Sequence, residues 1–218
     1  MPIDYELGYL AGANALPLLS EFNPEAIPEP WRSLNEARLD QFPWGGDYRP
    51  ACAARVGWNE SGIHVLMYAK EREIRAEVRE TGGMVCEDSC LEFFLAPDAE
   101  KNTYLNCEVN PLCVMHIGIG EGRHNREVLK AVPAGFGATH SEHRGGWWAV
   151  SYTIPSAFLL ERFGTAPGAG KIMRGNFYQC GDRTAHVHYG MFKPYDIPAP
   201  DYHRPELFAC FLLKAPNR

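Results

Sequence analysis

The sequence has no excess of basic residues and no long apolar run. It carries 21 Lys and Arg residues against 27 Asp and Glu residues, which gives a net charge of −6 at pH 7. Proteins that bind nucleic acid usually present a basic patch to the phosphates, so a nucleic-acid partner is not expected. The apolar run over residues 65–69 is far shorter than the roughly 18 residues of a membrane-spanning helix, so no membrane association is expected either.

Features of exported proteins are also missing. Residues 1–6 contain neither the basic stretch nor the apolar segment of a signal peptide. There are 7 cysteines, an odd number that does not fit a complete set of disulfides. The sequence therefore predicts a cytoplasmic protein whose cysteines are reduced and buried.

Motifs for catalysis and for metal binding are few. The sequence contains no Gly-x-Ser-x-Gly nucleophile motif and no phosphate-binding P-loop. His186 and His188 would share one face of a strand, which is a weak metal signal, and Cys86 and Cys90 do not have the usual zinc spacing. No catalytic residue, cofactor or transition metal is therefore predicted, although the surplus of carboxylates is compatible with a structural calcium ion.

Glycine and proline are abundant, with 21 and 17 residues, and this favours many turns over long helices. Residues 1–30 are expected to form an extended N-terminal arm, because the segment 23–30 is rich in proline and acidic residues. Residues 31–218 are expected to form a single domain. Short helices are predicted over 31–39, directly after Pro30, and over 155–163, where Gly164 ends the helix.

Short strands separated by turns dominate the rest of the chain. Segments 56–58 and 63–68, joined by a turn at residues 59–62, predict a β-hairpin. Further strands are predicted over residues 90–95, 104–110, 114–119, 147–154, 172–180 and 207–213. This pattern indicates an all-β fold: an antiparallel β-sandwich of jelly-roll or immunoglobulin-like type, with one or two short helices.

Polar and apolar side chains alternate along two of these strands. Because successive side chains of a strand point to opposite faces, Leu105, Cys107 and Val109 should face the core. The opposite face would carry Tyr104, Asn106, Glu108 and Asn110, and the strand 172–180 would add Arg174, Asn176 and Tyr178. An aromatic ring can cover the C–H face of a sugar while amides and carboxylates bind its hydroxyl groups. The face therefore indicates a carbohydrate site, and a solvated strand face is the alternative.

Glu92 lies among apolar neighbours in the predicted strand 90–95. Buried carboxylates are usually paired or hydrogen-bonded, so Glu92 is either a structural ion-pair partner or a ligand contact. Glu92 and Glu108 could also form the carboxylate pair of a small-glycan hydrolase. A structural or protein-interaction sandwich without sugar binding is a third interpretation.

Several segments, taken in order, resemble family 9-like carbohydrate-binding modules. They are residues 88–94 (DSCLEFF), 104–111 (YLNCEVNP), 148–155 (WAVSYTIP), 176–182 (NFYQCGD) and 203–208 (HRPELF), so the resemblance extends from about residue 31 to residue 213. It implies a β-sandwich related to the wider group of sugar- and haem-binding sandwiches. It also implies non-catalytic binding of an oligosaccharide or polysaccharide, often beside xylanases or other glycan-degrading modules.

The sequence departs from this family at the known sugar clamp. Xylanase-attached members hold a sugar between two tryptophans, one just before the Asp-Ser motif and one near the chain end. Here Val85 and Cys86 stand at the first place, and Tyr202 lies near the second. Glu108 stands where those members carry an arginine on the middle strand. The fold is therefore expected to transfer, whereas the tryptophan clamp is not.

The predicted ligand site combines the polar strand face with aromatic residues near it. Trp44 and Tyr48 are candidates to replace the missing tryptophans, because they are aromatic residues expected to be exposed in the turn-rich segment 42–50. The predicted ligand-binding residues are Trp44, Tyr48, Glu92, Tyr104, Asn106, Glu108, Asn110, Arg174, Asn176, Tyr178 and Tyr202.

Overall fold

The computed structural model describes residues 2–12, 22–141 and 144–216. Within these residues the chain forms 14 strands and one α-helix, α1 (Ser156–Phe163). The strands are β1 (Tyr5–Tyr9), β2 (Glu36–Arg38), β3 (Gln41–Gly45), β4 (Ala51–Asn59), β5 (Gly62–Lys70), β6 (Cys90–Ala96), β7 (Tyr104–Val109), β8 (Met115–Gly120), β9 (Glu127–Val128), β10 (Thr139–His140), β11 (Trp147–Pro155), β12 (Ile172–Cys180), β13 (His188–Met191) and β14 (Ala209–Leu213). Short 3-10 turns lie at Trp31–Ser33, Val85–Glu87 and Pro205–Leu207. None of the helices in this described part of the chain has the length and apolar character that crossing a membrane requires.

The strands form two layers. The first layer has the order β10-β11-β5-β4, with β2 beside the N-terminal half of β4. The second layer has the order β14-β12-β6-β7-β8-β9, and β13 and β3 extend it beyond the C-terminal half of β12. Strand β1 pairs in parallel with β4 on one side and with β14 on the other, so it joins the layers, whereas the other strand pairs are antiparallel.

The main hydrophobic core lies between the two layers. It contains Val65 and Trp148 from the first layer together with Phe93, Cys107 and Phe177 from the second, all of them fully buried. Along β7, Cys107 alternates with the polar residues Asn106 and Glu108, as the pattern of the sequence predicts, because a strand sends every second side chain to the same face.

A second aromatic cluster covers the outer face of the second layer. Phe94, Tyr104 and Tyr178 project from this sheet and pack against Tyr202 and Phe208 of the C-terminal segment. The loops that cover this face leave a cavity at one end of the cluster.

The all-β sandwich and its central hairpin are confirmed. Strands β4 and β5 pair along their full length, and α1 ends at Gly164, whose φ of 69° is the left-handed conformation that glycine favours. The prediction of a helix over 31–39 is wrong. A single 3-10 turn buries Trp31, and β2 then pairs with β4, because this pairing satisfies the backbone of residues 36–38.

The N-terminal segment contributes directly to the sheet. Residues 5–9, within the segment 1–30 that is expected to be an extended arm, form β1, and residues 13–21 lie outside the described residues. The division of the chain at residue 30 stays a prediction.

Candidate functional site

Neighbouring strands of the second layer place polar side chains in a row across its outer face. The register puts Glu92 of β6 between Tyr178 of β12 and Glu108 of β7. Glu108 in turn lies opposite His116 of β8. Residues directly opposite each other on paired strands project from the same face. Glu92, Glu108 and His116 accordingly line one cavity of about 550 Å³, a volume within the usual range for small-molecule pockets.

The walls of this cavity come from three loops and from strand β13. The loops are the one between β8 and β9, the segment between β12 and β13, and the segment before β14. The loops contribute Arg123, Arg126, Asp182, Asp201, Tyr202 and His203, and β13 contributes Tyr189. Carboxylate, guanidinium, imidazole and phenol groups therefore surround one space, and such a set can donate hydrogen bonds to hydroxyl groups and accept them.

The two carboxyl groups at the floor of the cavity are buried and held in place. Glu92 is 3% exposed and Glu108 is 7% exposed. Asn106 donates a hydrogen bond to Oε1 of Glu108 (2.8 Å), and the Cys180 thiol donates one to Oε1 of Glu92 (2.9 Å). Burial raises the pKa of both carboxyl groups, and the charge of Glu108 raises the pKa of Glu92 further. A charged carboxylate at this floor is therefore stabilised by a ligand that donates hydrogen bonds to it or carries positive charge.

Arg126 connects the loop after β8 to this floor. Its guanidinium lies 4.0 Å from the centre of the Tyr104 ring, and its Nη2 donates a hydrogen bond to Oδ1 of Asn106 (2.6 Å). Asn106 is the residue that donates to Glu108. Arg126, Asn106 and Glu108 thus form a hydrogen-bonded chain that fixes the orientation of one floor carboxylate.

Gly118 makes room for this chain. It lies opposite Asn106 in the register of β7 and β8. A Cβ atom at position 118 would lie 2.5 Å from Oδ1 of Asn106 and 3.3 Å from Nε of Arg126. A side chain at this position would therefore displace the groups that hold Glu108.

His203 closes the cavity from the C-terminal segment. Its Nδ1 is 2.6 Å from the hydroxyl oxygen of Tyr104, and its ring packs on Phe94 with centroids 4.9 Å apart. Burial, together with the nearby charges of Arg126 and Arg123, lowers the pKa of His203 to about 3. The imidazole is therefore neutral at physiological pH and serves as a hydrogen-bonding group.

Tyr202 provides an aromatic wall. Its ring stacks on Tyr178 with centroids 4.0 Å apart and planes 15° apart, and its hydroxyl donates to the carbonyl oxygen of Gln179 (3.0 Å). Trp44 packs 5.8 Å from Tyr202 and donates its Nε1 hydrogen to the carbonyl oxygen of Ile197 (2.8 Å). The orientation of the Tyr202 ring is thus set by its contacts with Tyr178 and Trp44 and by its hydrogen bond to the backbone.

The structure brings only part of the predicted site into the cavity. Glu92, Glu108 and Tyr202 line it directly. Four other predicted residues contact residues of the cavity. Asn106 donates to Glu108, Tyr178 stacks on Tyr202 and Trp44 packs against Tyr202. Tyr104 contacts Arg126 and His203.

The remaining predicted residues have contacts elsewhere. Asn110 donates to Val78 and to Asp88 (2.8 and 3.0 Å), and Asn176 donates to the carbonyl oxygen of Lys193 (2.9 Å). Arg174 donates to backbone carbonyl oxygens of residues 99, 101 and 205. These contacts join loops to the sheet and leave the three side chains outside the cavity.

Tyr48 lies at a different place, together with the two histidines that are a weak metal signal in the sequence. Its ring centre is 5.0 Å from that of His186 and 5.4 Å from that of His188, and its hydroxyl accepts a hydrogen bond from the backbone of Arg72. His188 also makes a hydrogen bond through Nδ1 to the backbone oxygen of His186 (2.8 Å). In this arrangement both imidazoles pack against an aromatic ring.

Several cavity residues are missing from the sequence-based prediction. They include His116, Arg123, Arg126, Asp182, Tyr189 and His203. His116 follows the alternation of the predicted strand 114–119, so its position opposite Glu108 could have been found from strand pairing. The others belong to loops or, for Tyr189, to the four-residue strand β13, where no periodic pattern exists.

Comparisons with known proteins identify the family. The model of carbohydrate-binding family 9 matches residues 30–213. A Bacteroides uniformis protein, described as a candidate carbohydrate-binding protein, has a crystal structure with 27% identity and a TM-score of 0.71, over 84% of this chain and 88% of its own. No curated protein matches the chain.

Two further structures are of a family 9 module from Caldicellulosiruptor kristjanssonii. The complex with glucose is 12% identical, with a TM-score of 0.65 over 97% of this chain and 96% of its own. The complex with cellotriose is 13% identical, with a TM-score of 0.65 over 98% of this chain and 94% of its own. At this identity the two structures establish a shared fold. Together with the match over residues 30–213, they show that the chain belongs to carbohydrate-binding family 9.

Proposed function

We propose that this protein binds a hydroxyl-rich sugar, without catalysis, in the cavity between Glu108, Arg126 and Tyr202. The observation that carries the proposal is the pair of buried carboxyl groups on paired strands, facing a cavity of about 550 Å³ beside a guanidinium and a tyrosine ring. Membership of a carbohydrate-binding family supports the same function.

The chemistry of the cavity suits a sugar. Carboxylates accept hydrogen bonds from hydroxyl groups, Arg126 can donate them, and the ring of Tyr202 offers apolar area for a C–H face. Glu108 and Arg126 are already held by Asn106, so little freedom remains to be lost when a ligand binds. In this protein, the ring of Tyr202 and the hydrogen-bonding groups would thus bind the sugar that other members hold between two tryptophans.

Gluco-configured sugars are the first ligands to examine. The C. kristjanssonii module was crystallised with glucose and with cellotriose, and its fold is shared. We infer a related ligand class for this chain, with xylo- and manno-oligosaccharides as the competing classes. The arrangement of carboxylates and guanidinium would decide among them, because a site built around hydrogen bonds rejects an analogue that leaves one of its groups unpaired.

Calorimetric titration with glucose, cellotriose, xylotriose and mannotriose tests the proposal. Glu108→Gln keeps the shape of the side chain and its hydrogen bond from Asn106 but removes the charge. Losing one charged hydrogen bond of about 1.5–3 kcal/mol should weaken binding roughly tenfold to hundredfold. Glu161→Gln, an exposed position on α1, is the matched control and should bind like the wild type.

Two results would contradict sugar binding in this cavity. One is the absence of binding by the wild type to any sugar of the panel. The other is an unchanged affinity of Glu108→Gln. The non-catalytic part of the proposal is checked separately by prolonged incubation with cellotriose and analysis of the products. Release of glucose or cellobiose by the wild type, but not by Glu108→Gln, would show that the protein is a hydrolase and would contradict this part of the proposal.

A further inference from the structure

Two thiols and a carboxyl group converge beneath the cavity. Cys90 and Glu92 are two residues apart on β6 and therefore share its outer face, and Cys180 of β12 lies directly opposite Cys90. The sulfur atoms of both cysteines and a carboxylate oxygen of Glu92 all lie within 4.8 Å of one another. All three residues are buried. Across residues 2–12, 22–141 and 144–216, this is the one cluster of three such groups.

The backbone already holds these donors in position. Each stands on a central strand of the second layer, and β6 and β12 pair without a break from position 90 to position 96. A cation at the centre would therefore need only side-chain adjustment to reach all three groups. Sites built on strands in this way are more precise than sites built on loops.

The donor set selects a class of metal ion. Thiolates favour Zn²⁺ and other thiophilic ions, whereas Ca²⁺ and Mg²⁺ take oxygen ligands. A divalent ion would also compensate the negative charge of Glu92 beside Glu108, two buried acidic residues that face each other across β6 and β7.

We propose that Cys90, Cys180 and Glu92 form a binding site for one thiophilic divalent ion such as Zn²⁺, with a fourth coordination position open to the cavity. The opening follows from the lining of the cavity, because Glu92 and Cys180 face it while Cys90 lies below them. Zinc sites with three protein ligands commonly keep a fourth position for water or a solute. When the ion binds, the two thiol protons are released to solvent and the sulfur atoms become ligands.

This proposal departs from the sequence-based expectation of a protein without transition metal. That expectation rests on the spacing of Cys86 and Cys90 and on the weak signal of His186 and His188. The cluster instead uses a cysteine 90 residues further along the chain, which strand pairing brings next to Cys90. Cys86 lines the same cavity, but its thiol is not one of the three converging donors.

Titration of the full-length, reduced protein with Zn²⁺ and with Co²⁺ tests the site. The wild type should bind one ion per chain, and Co²⁺ should produce thiolate-to-metal charge-transfer absorption. Loss of an outer-sphere partner typically costs 10–100-fold in metal affinity, so removal of a ligand in Cys90→Ala or Cys180→Ala should cost at least about 100-fold. Cys52→Ala, which removes a buried cysteine of β4 in the other layer, should bind like the wild type.

The wild-type titration decides the matter even if a cysteine variant fails to fold. Glu92→Gln gives a second check, since it keeps both thiols and should retain the charge-transfer absorption with a weakened affinity. Absence of thiolate-to-cobalt absorption in the wild type would overturn the proposal. Unchanged Zn²⁺ affinity of folded Cys90→Ala would overturn it as well. A Cys90–Cys180 disulfide would also overturn it, if it is found in protein that was expressed in a reducing cytoplasm and whose free thiols were blocked at lysis. None of these readouts involves a sugar, so they stand or fall independently of the proposed function.

Discussion

Gly118→Ala is the substitution that most directly examines how the floor of the cavity is held. A methyl group on Gly118 would lie 2.5 Å from Oδ1 and 3.2 Å from Cγ of Asn106, and 3.3 Å from Nε of Arg126. The first of these separations cannot be accommodated without movement. Because Gly118 lies within β8 and pairs with β7, the side chains of Asn106 and Arg126 must move instead of the strand.

The cost can be worked out from the contacts that are lost. The 2.6 Å hydrogen bond from Arg126 to Asn106 has a charged donor and is worth about 1.5–3 kcal/mol. Replacing glycine by alanine stabilises the folded protein by about 0.4–1 kcal/mol, because it reduces the conformational entropy of the unfolded chain. The free energy of unfolding should therefore fall by about 0.5–2.6 kcal/mol, which lowers Tm by about 1–10 °C for a domain of this size.

Gly122→Ala is the matched control. It lies in the loop that follows β8, and no atom lies within 4 Å of its added Cβ. Its Tm should equal that of the wild type or exceed it slightly. Thermal unfolding followed by circular dichroism measures both variants. Calorimetry with cellotriose should show weaker binding for Gly118→Ala alone, because a displaced Asn106 no longer holds Glu108. Equal Tm values for the two variants would refute the role assigned to Gly118.

Further expectations concern positions around the site and in the first layer. Tyr178→Ala should lower the free energy of unfolding by about 3–5 kcal/mol in urea titrations, because the ring is fully buried and stacks on Tyr202; unchanged stability with lost sugar binding would instead make it a ligand contact. Arg174→Lys should lower Tm while leaving sugar affinity unchanged, because lysine cannot reproduce the fork that binds three backbone carbonyls; a weakened affinity in calorimetry would contradict this. Burial lowers the pKa of His64 to about 4, so between pH 6.5 and pH 4 the unfolded chain takes up a proton that the folded protein does not. Stability should therefore fall as pH drops through this window, by at most about 1.4 kcal/mol per pH unit from this residue. Urea titrations at several pH values should show that the free energy of unfolding of His64→Gln depends less steeply on pH than that of the wild type. An identical pH dependence would contradict the assignment.

The sequence predicts most of the long strands because their pattern is local. A strand sends alternate side chains to opposite faces, so the order of residues in 104–110 is enough to separate Cys107 from Glu108. Short strands such as β3 and β13 escape prediction, because they are stabilised by pairing with neighbouring strands and carry no alternation of their own. The failed helix over 31–39 has the same cause: pairing with β4 outweighs the weak preference of a short segment.

The residues predicted for the candidate site fall into two groups, those that line the cavity and those that lie outside it. Glu92, Glu108 and Tyr202 are predicted from the sequence and line the cavity. Glu108 follows from the alternation of the strand 104–110, Glu92 from its place among apolar neighbours, and Tyr202 from its position near the second tryptophan of related modules. Predicted residues such as Arg174 and Asn110 have the right face or composition, but loops cover them and use their hydrogen-bonding groups.

What the sequence by itself determines is the all-β class, the faces of the main strands and the family, since these depend on periodicity and on the order of motifs. The tertiary structure alone decides which polar groups share a cavity. Arg126 reaches Glu108 through Asn106 from a loop, and His203 reaches Tyr104 from 99 positions further along the chain. Cys180 reaches Cys90 only through the register of β12 on β6. The physical reason is that hydrogen bonds and metal coordination act over a few ångströms in space, and a linear pattern contains no information about which distant segments the folded chain brings within that range.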